Sequence, residues 1–234
     1  MVRLVLLAKR PVAGRVKTRL VPPLSPEQAC ALYEAFLSDQ VRFLRSLADR
    51  YSIEIRLAGR WSAACERRLS LAGLPRRAQG PGDLGARLLR AFEHGSRTGA
   101  EATLALAADA PTLPAALVEE AAAVLRGGAA AVVAPADDGG YVLIGMRRPL
   151  APLFDGIPWG GPDVLRETCE RAERHGVDLR MLEAWYDVDD AGGLRRLARD
   201  LAGPAAARAP ATAECTAALG LTAAGGGRRL DPPR

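Results

Sequence analysis

Short apolar runs alternate along this chain with longer stretches of helical periodicity. The run Leu4-Val5-Leu6-Leu7-Ala8 reads as a buried strand, and further strands are predicted over 52–58, 103–107, 130–134, 141–144 and 178–182. Helical patterns fall around 63–71, 84–97, 114–126, 162–175 and 193–201. A long helix should follow the first loop. There Ser25-Pro26-Glu27-Gln28 sets Ser at an N-cap, Pro at the first helical position and Gln three residues on, with Leu32, Phe36 and Leu44 recurring behind.

Strands alternating with helices over such short connections predict one α/β domain of three layers, α/β/α, around a mostly parallel sheet. The stretch 132–145 departs from the pattern. Its two strand-like runs are separated only by Pro135-Ala-Asp-Asp-Gly-Gly140, too short for a crossover helix, so an antiparallel element is expected there. The domain is expected to span 1–202. Residues 203–234, rich in Ala and Gly and without sustained amphipathicity, read as a flexible tail in which 212–219 offers one short helix.

Composition narrows the function classes. With 234 residues, 49% hydrophobic and 25% charged, the chain is an ordinary globular one. Its apolar runs are too short to span a bilayer, and its first residues lack a signal-peptide core, so no membrane association and a cytoplasmic location are expected. Cys30, Cys65, Cys169 and Cys215 stand far apart with only His94 and His175 to assist them, which disfavours zinc or a disulfide framework. The net charge of +5 suggests nucleic acid at first, but +2 of it falls within 203–234. Aromatics are only 5% and are not interleaved with the basic residues, so no nucleic-acid partner is expected.

Chemistry concentrates in a few loops. Lys9, Arg10, Arg15, Lys17 and Arg19 place five positive charges within eleven residues after the first strand, with Gly14 and Pro11 to bend the chain. Ligands of open α/β sheets sit beyond the carboxyl ends of such strands, and a loop of this composition suits phosphates. It is not a P-loop, because Val16 and Pro11 stand where that motif needs glycines. Asp109 follows another buried run, and Asp187 and Asp189 sit in Tyr186-Asp-Val-Asp-Asp190. Such carboxylates would hold Mg²⁺ or Mn²⁺, although capping of the helices that follow is the structural alternative for each. Two glycine loops complete the set. Gly82-Asp83-Leu-Gly85-Ala-Arg87 offers amides and a guanidinium to a nucleotide, or simply a capped helix. Asp137-Asp138-Gly139-Gly140-Tyr141 offers carboxylates to an acceptor hydroxyl or a second metal, or simply a hairpin turn.

Six motifs in order resemble one family. They are the loop Ala8 to Leu20, Gly82 to Leu88, Asp109-Ala-Pro111, Pro135 to Tyr141, Leu153-Phe-Asp-Gly-Ile-Pro-Trp159 and Tyr186 to Asp190. Over about residues 3–200 the chain resembles the radical-SAM/selenodomain-associated transferases, a branch of the nucleotide-diphospho-sugar transferases of GT-A fold. The first and last motifs are also similar to those of phospholactate guanylyltransferases. Ala108, Gly160-Gly161 and Ala191 depart from the relatives' pattern. The resemblance implies a Mg²⁺-dependent transferase acting on a nucleotide-activated substrate and a small acceptor, glycosyl transfer first and nucleotidyl transfer as the alternative. A non-catalytic nucleotide-binding protein is the third reading.

The resemblance also implies roles. Asp109, Asp187 and Asp189 would hold the metal. Lys9, Arg10, Gly14, Arg15, Lys17, Arg19, Gly82, Asp83, Gly85 and Arg87 would bind nucleotide and phosphate. Lys17 and Arg19 would stabilise the leaving group, with Asp138 positioning or deprotonating the acceptor. Asp137, Gly139, Gly140, Tyr141 and Trp159 would line the acceptor side.

Overall fold

In the computed structural model, which describes residues 1–221, the sheet is built from seven strands. They are β1 (Arg3–Lys9), β2 (Ser52–Ala58), β3 (Arg76–Ala78), β4 (Thr103–Ala107), β5 (Ala131–Pro135), β6 (Tyr141–Met146) and β7 (Leu179–Met181). Their order across the sheet is β3-β2-β1-β4-β6-β5-β7, and only β6 runs antiparallel, against both β4 and β5. The hairpin expected within 132–145 is therefore this β5–β6 pair. Its return strand lies inside the sheet and separates β4 from β5.

Eight helices surround the sheet among the described residues: α1 (Pro26–Ser46), α2 (Ala63–Arg68), α3 (Leu84–Arg97), α4 (Ala115–Arg126), α5 (Val164–Arg174), α6 (Ala191–Asp200), α7 (Ala205–Arg208) and α8 (Pro210–Ala218). The two-residue period of the strands divides the core between the faces. Leu4, Leu6, Leu104 and Leu106 pack with Leu32 and Phe36 of α1 and Val118 of α4. Ala105, Ile144 and Met146 face the other way, against Leu88 and Phe92 of α3 and Ala172 of α5. Central strands covered on both sides read as continuous apolar runs, which is why Leu4–Ala8 shows no alternation.

Helix starts follow the expected cap chemistry. Ser25 and Gln28 form a reciprocal capping box on α1. Asp83 caps α3 by accepting from the Ala86 amide at 2.8 Å.

Residues from 203 onward need a correction. Through Leu221 they are not a loose tail: α7 and α8 fold back on α1. Their Ala-rich sequence carries no amphipathic signal because polar contacts hold them. The buried Asp39 of α1 accepts from the Ala211 and Thr212 amides at 3.1 and 2.8 Å. Arg42 donates to the carbonyls of Ala207 and Arg208 at 3.1 and 2.7 Å. The remainder of the expected tail, 222–234, lies outside the described residues.

Candidate active site

Three chain segments meet beyond the carboxyl ends of β1 and β4. The first is the basic loop. Buried Val16 and Leu20 anchor it from below, and the Lys9 amide donates to the Tyr33 hydroxyl at 3.0 Å. Lys17 sits between the anchors in the left-handed region, at φ 48° and ψ 40°, an uncommon conformation for a residue with a side chain. That backbone turns the side chain inward, to 4% exposure, where the ammonium donates to Asp109 Oδ2 at 2.9 Å and to Asp189 Oδ1 at 2.6 Å. Tyr33 and Phe36 present their rings to it, each centroid 5.9 Å away.

Asp109 follows β4 by two residues. It caps no helix, since the N-cap of α4 is Pro114, and its carbonyl accepts from the Val188 amide at 3.0 Å, joining the second segment to the third. In that third segment the capping alternative is settled by division of labour. Asp190 is the cap of α6, accepting from the Gly193 amide at 2.9 Å. Asp187 and Asp189 are left to the site. Asp109, Asp187 and Asp189 each offer an oxygen within 4.8 Å of the others'.

The electrostatics of the three carboxylates differ. Burial, reinforced by Asp109, Asp138 and Asp189, pushes the Asp187 carboxyl up to about 7. Burial acts in the same direction on Asp189, but the adjacent Lys17 ammonium overrides it and holds the group below the ordinary aspartate value. For Lys17 burial opposes the charge, and Asp109 and Asp189 outweigh it, carrying the ammonium above the usual lysine value.

Asp109, Asp189 and Lys17 border a cavity of about 420 Å³, whose polar side also carries Lys9, Arg15, Arg19 and Asp138. Leu84, Leu88 and Ile144 line its apolar wall. A larger hollow of about 700 Å³ between the starts of α3 and the end of α5 contains neither the acidic cluster nor the basic loop. We therefore place the site in the smaller one.

Several expected residues take other places. Arg10 is exposed and absent from the cavity wall, and Gly14 only turns the loop, at φ 73°. Gly82, Asp83 and Arg87 fasten their own loop, with Arg87 donating to the Gly82 carbonyl at 3.1 Å and to Gln79 Oε1 at 3.3 Å. Gly85 provides room for Trp159, whose ring would lie 2.7 Å from any Cβ there. Trp159 also packs beside Phe154, and its buried Nε1 finds no hydrogen-bond partner among the described residues. Asp137 is drawn away by Arg196, which pairs with it while lying over the Tyr186 ring. Asp138 and Tyr141 do reach the cavity. The intervening turn is held by the Gly140 amide donating to Asp138 Oδ1 at 2.9 Å, while Gly139 passes directly over the Pro162 backbone.

The sequence reading missed Tyr33, Leu84 and Leu88. The pair Leu84 and Leu88 was visible as an i, i+4 spacing at the start of a helix, where one exposed leucine, at 42%, is unusual enough to suggest a wall. Nothing local distinguished Tyr33 from the other core residues of α1.

The sheet order, the single antiparallel strand and the carboxylate cluster at the sheet's edge define a nucleotide-diphospho-sugar transferase-like fold. The chain belongs to the family described as "Uncharacterized protein conserved in bacteria (DUF2064)", whose model matches residues 44–161. No curated protein matches it. Among solved structures, the chain is similar to a provisional nucleotide-diphospho-sugar transferase from Desulfovibrio desulfuricans G20, with 29% identity, TM-score 0.83, and coverage of 93% of this chain and 94% of that one. It shares its fold with a cytidylyltransferase from Leptospira borgpetersenii, at 10% identity and TM-score 0.56 over 86% of each chain. It also shares it with the 4-diphosphocytidyl-2C-methyl-D-erythritol synthase of Anaerococcus prevotii DSM 20548, at 11% identity and TM-score 0.54 over 82% and 91%.

Proposed function

We propose that this protein is a divalent-cation-dependent transferase acting on a nucleotide-activated donor, and that its reaction is glycosyl transfer from a nucleoside-diphosphate sugar to a small acceptor. The observation that carries this reading is the meeting of Asp109 and Asp189 with the cations Lys9, Arg15, Lys17 and Arg19 around one cavity, with Asp187 completing their carboxylate cluster. Carboxylates at that edge of the sheet suit a metal, and cations there suit phosphates. The narrower kinship with the radical-SAM/selenodomain-associated transferases and a cytoplasmic location belong to the same proposal. No helix among the described residues is long and apolar enough to cross a membrane.

The donor set fits a hard cation. All three groups of the cluster are carboxylates, and no His or Cys belongs to it, which favours Mg²⁺ or Mn²⁺ over softer metals. Such an ion supplies charge neutralisation at the diphosphate.

The chain's own residues do the rest. Arg15 and Arg19, exposed at the mouth of the cavity, grip the diphosphate and stabilise the charge it gains as it departs. Asp138, across the cavity, receives the proton of the acceptor hydroxyl as that oxygen bonds to the sugar's anomeric carbon. The bond from that carbon to the phosphate oxygen breaks, and its electrons stay with the nucleoside diphosphate. Leu84, Leu88 and Ile144 keep water from competing as acceptor.

A second reading is favoured by the density of the basic loop, five cations in eleven residues, which suits a departing pyrophosphate. In it a phosphorylated acceptor attacks the α-phosphate of a nucleoside triphosphate and the same loop stabilises pyrophosphate. A thermal-shift panel of nucleoside triphosphates and nucleoside-diphosphate sugars, each with and without Mg²⁺, separates the two. Mg²⁺-dependent stabilisation by one nucleotide sugar supports glycosyl transfer. Preference for one triphosphate supports nucleotidyl transfer, and no shift with any compound refutes the nucleotide site.

A further inference from the structure

We propose that Lys17 is an internal stand-in for the divalent cation. Its ammonium and the metal compete for Asp109 and Asp189, so the metal settles only as the donor's phosphates draw the ammonium away. This inference rests on the metal-dependent reading given above and adds to it an order of binding.

The ammonium already occupies two of the three carboxylates through Asp109 Oδ2 and Asp189 Oδ1, at 2.9 and 2.6 Å. A divalent ion drawn to the same two carboxylates meets the ammonium's repulsion at close range and shares their charge with it. Among the described residues no ion pair reaches Asp187, which leaves one carboxylate to receive an arriving ion. The placement of Lys17 is built in rather than incidental. Its left-handed backbone, the flanking buried Val16 and Leu20, and the Tyr33 and Phe36 rings all direct the side chain into the acidic cluster.

Residue choice points the same way. The chain holds thirty arginines and only two lysines, Lys9 and Lys17, both at this loop. Arginine serves for cationic contacts elsewhere, but its broad planar fork is a poor substitute for a metal ion. An ammonium is a compact point charge on a flexible stem, able both to sit between two carboxylates and to leave them for a phosphate.

The consequence is that metal alone binds weakly and metal with a phosphate-bearing donor binds well, because the phosphates supply Lys17 with a new partner. A cavity already neutralised by its own lysine is also protected from filling with free metal between turnovers.

Two measurements on the full chain test this. In the first, Mn²⁺ binding without nucleotide is followed by electron paramagnetic resonance for the natural protein and for Lys17→Met, with folding checked by circular dichroism. Lys17→Met should bind Mn²⁺ about tenfold more tightly, an effect of ordinary size for coupling between competing ligands. Equal or weaker binding by a folded variant overturns the competition. The second measurement uses the natural protein alone, so it decides the matter even if the variant does not fold. Acetic anhydride labelling, read by peptide mass spectrometry, should modify exposed Lys9 readily and Lys17 slowly without metal, and saturating Mn²⁺ should raise the Lys17 rate relative to Lys9. A Lys17 rate unmoved by bound Mn²⁺ overturns the inference and leaves the metal site standing. Absence of Mn²⁺ binding in both proteins overturns the metal site and the inference with it.

Discussion

The raised Asp187 carboxyl makes the site a source of instability when no metal is bound, and Asp187→Asn isolates the effect. A rise from the ordinary aspartate value of 3.8 to about 7 means that the folded protein holds this proton more tightly than the unfolded chain does. The associated stability is fully present below about pH 3.8 and is lost as pH rises towards 7, where the carboxylate must ionise beside Asp109, Asp138 and Asp189. Three units correspond to about 4 kcal/mol in full. Asp187 is only part-buried, so screening leaves about half of that, ~2 kcal/mol.

Asparagine keeps the shape and cannot ionise. In EDTA at pH 8 the variant should melt roughly 4–8 °C above the natural protein, on the usual scaling for chains of this length. Near pH 4.5 most of the gap should be gone. Mg²⁺ added together with a nucleotide donor should raise the melting temperature of the natural protein and leave Asp187→Asn almost unmoved. Thermal denaturation across pH measures all three. A variant that melts no higher at pH 8, or a gap that is the same at both pH values, refutes the reasoning.

Other perturbations probe the remaining parts. Lys17→Ala should reduce turnover by roughly 10²–10³, the usual loss for one transition-state donor, with the fold intact by circular dichroism; unchanged turnover removes Lys17 from the reaction. Asp109→Asn should shift the Mg²⁺ titration of activity to higher concentration, and an unaltered titration means that it is not a ligand. Gly139→Ala should destabilise the protein by at least ~2 kcal/mol in urea denaturation, because a Cβ there would run into the Pro162 backbone at a φ of +86°; a smaller effect means the turn moves freely.

Much of the fold was legible. Strands 52–58 and 103–107 and helix 84–97 coincide with the observed elements to the residue, because each combines a clear period with a visible stop. β3 escaped notice: Arg76-Arg77-Ala78 is three residues long and exposed throughout, so it carries no apolar signal and exists only by pairing with β2. The place of β6 between β4 and β5 is set by long-range pairing and left no mark in local pattern. Helix α7 was missed, and α8 was read only as a short helix over 212–219 within a flexible tail, since Ala-rich sequence has helix propensity without a face and its docking is fixed by Asp39 far away in the chain.

In the site, residue type was more informative than role. Asp109, Asp189, Lys17, Arg19 and Asp138 were all named from the sequence, and the structure gathers them at one cavity, with Asp187 in the carboxylate cluster beside it. What the sequence hid was direction. Nothing in Val16-Lys17-Thr18 announces a left-handed residue turned inward, and Asp137 looks equivalent to Asp138 until Arg196 claims it.

The contacts of Lys17 also bear on how the protein comes into being. They join it to residues 92 and 172 positions further along the chain, and Asp109 meets Val188 through a single backbone hydrogen bond. During synthesis the basic loop therefore emerges well before its partners, and the contacts of Lys17 cannot be completed until the chain has emerged through Asp189. A fragment ending before Asp189 lacks one of the two carboxylates that hold Lys17, and protection of the Val188 amide from hydrogen exchange would report that the segment after β4 and the Tyr186–Asp190 segment have met.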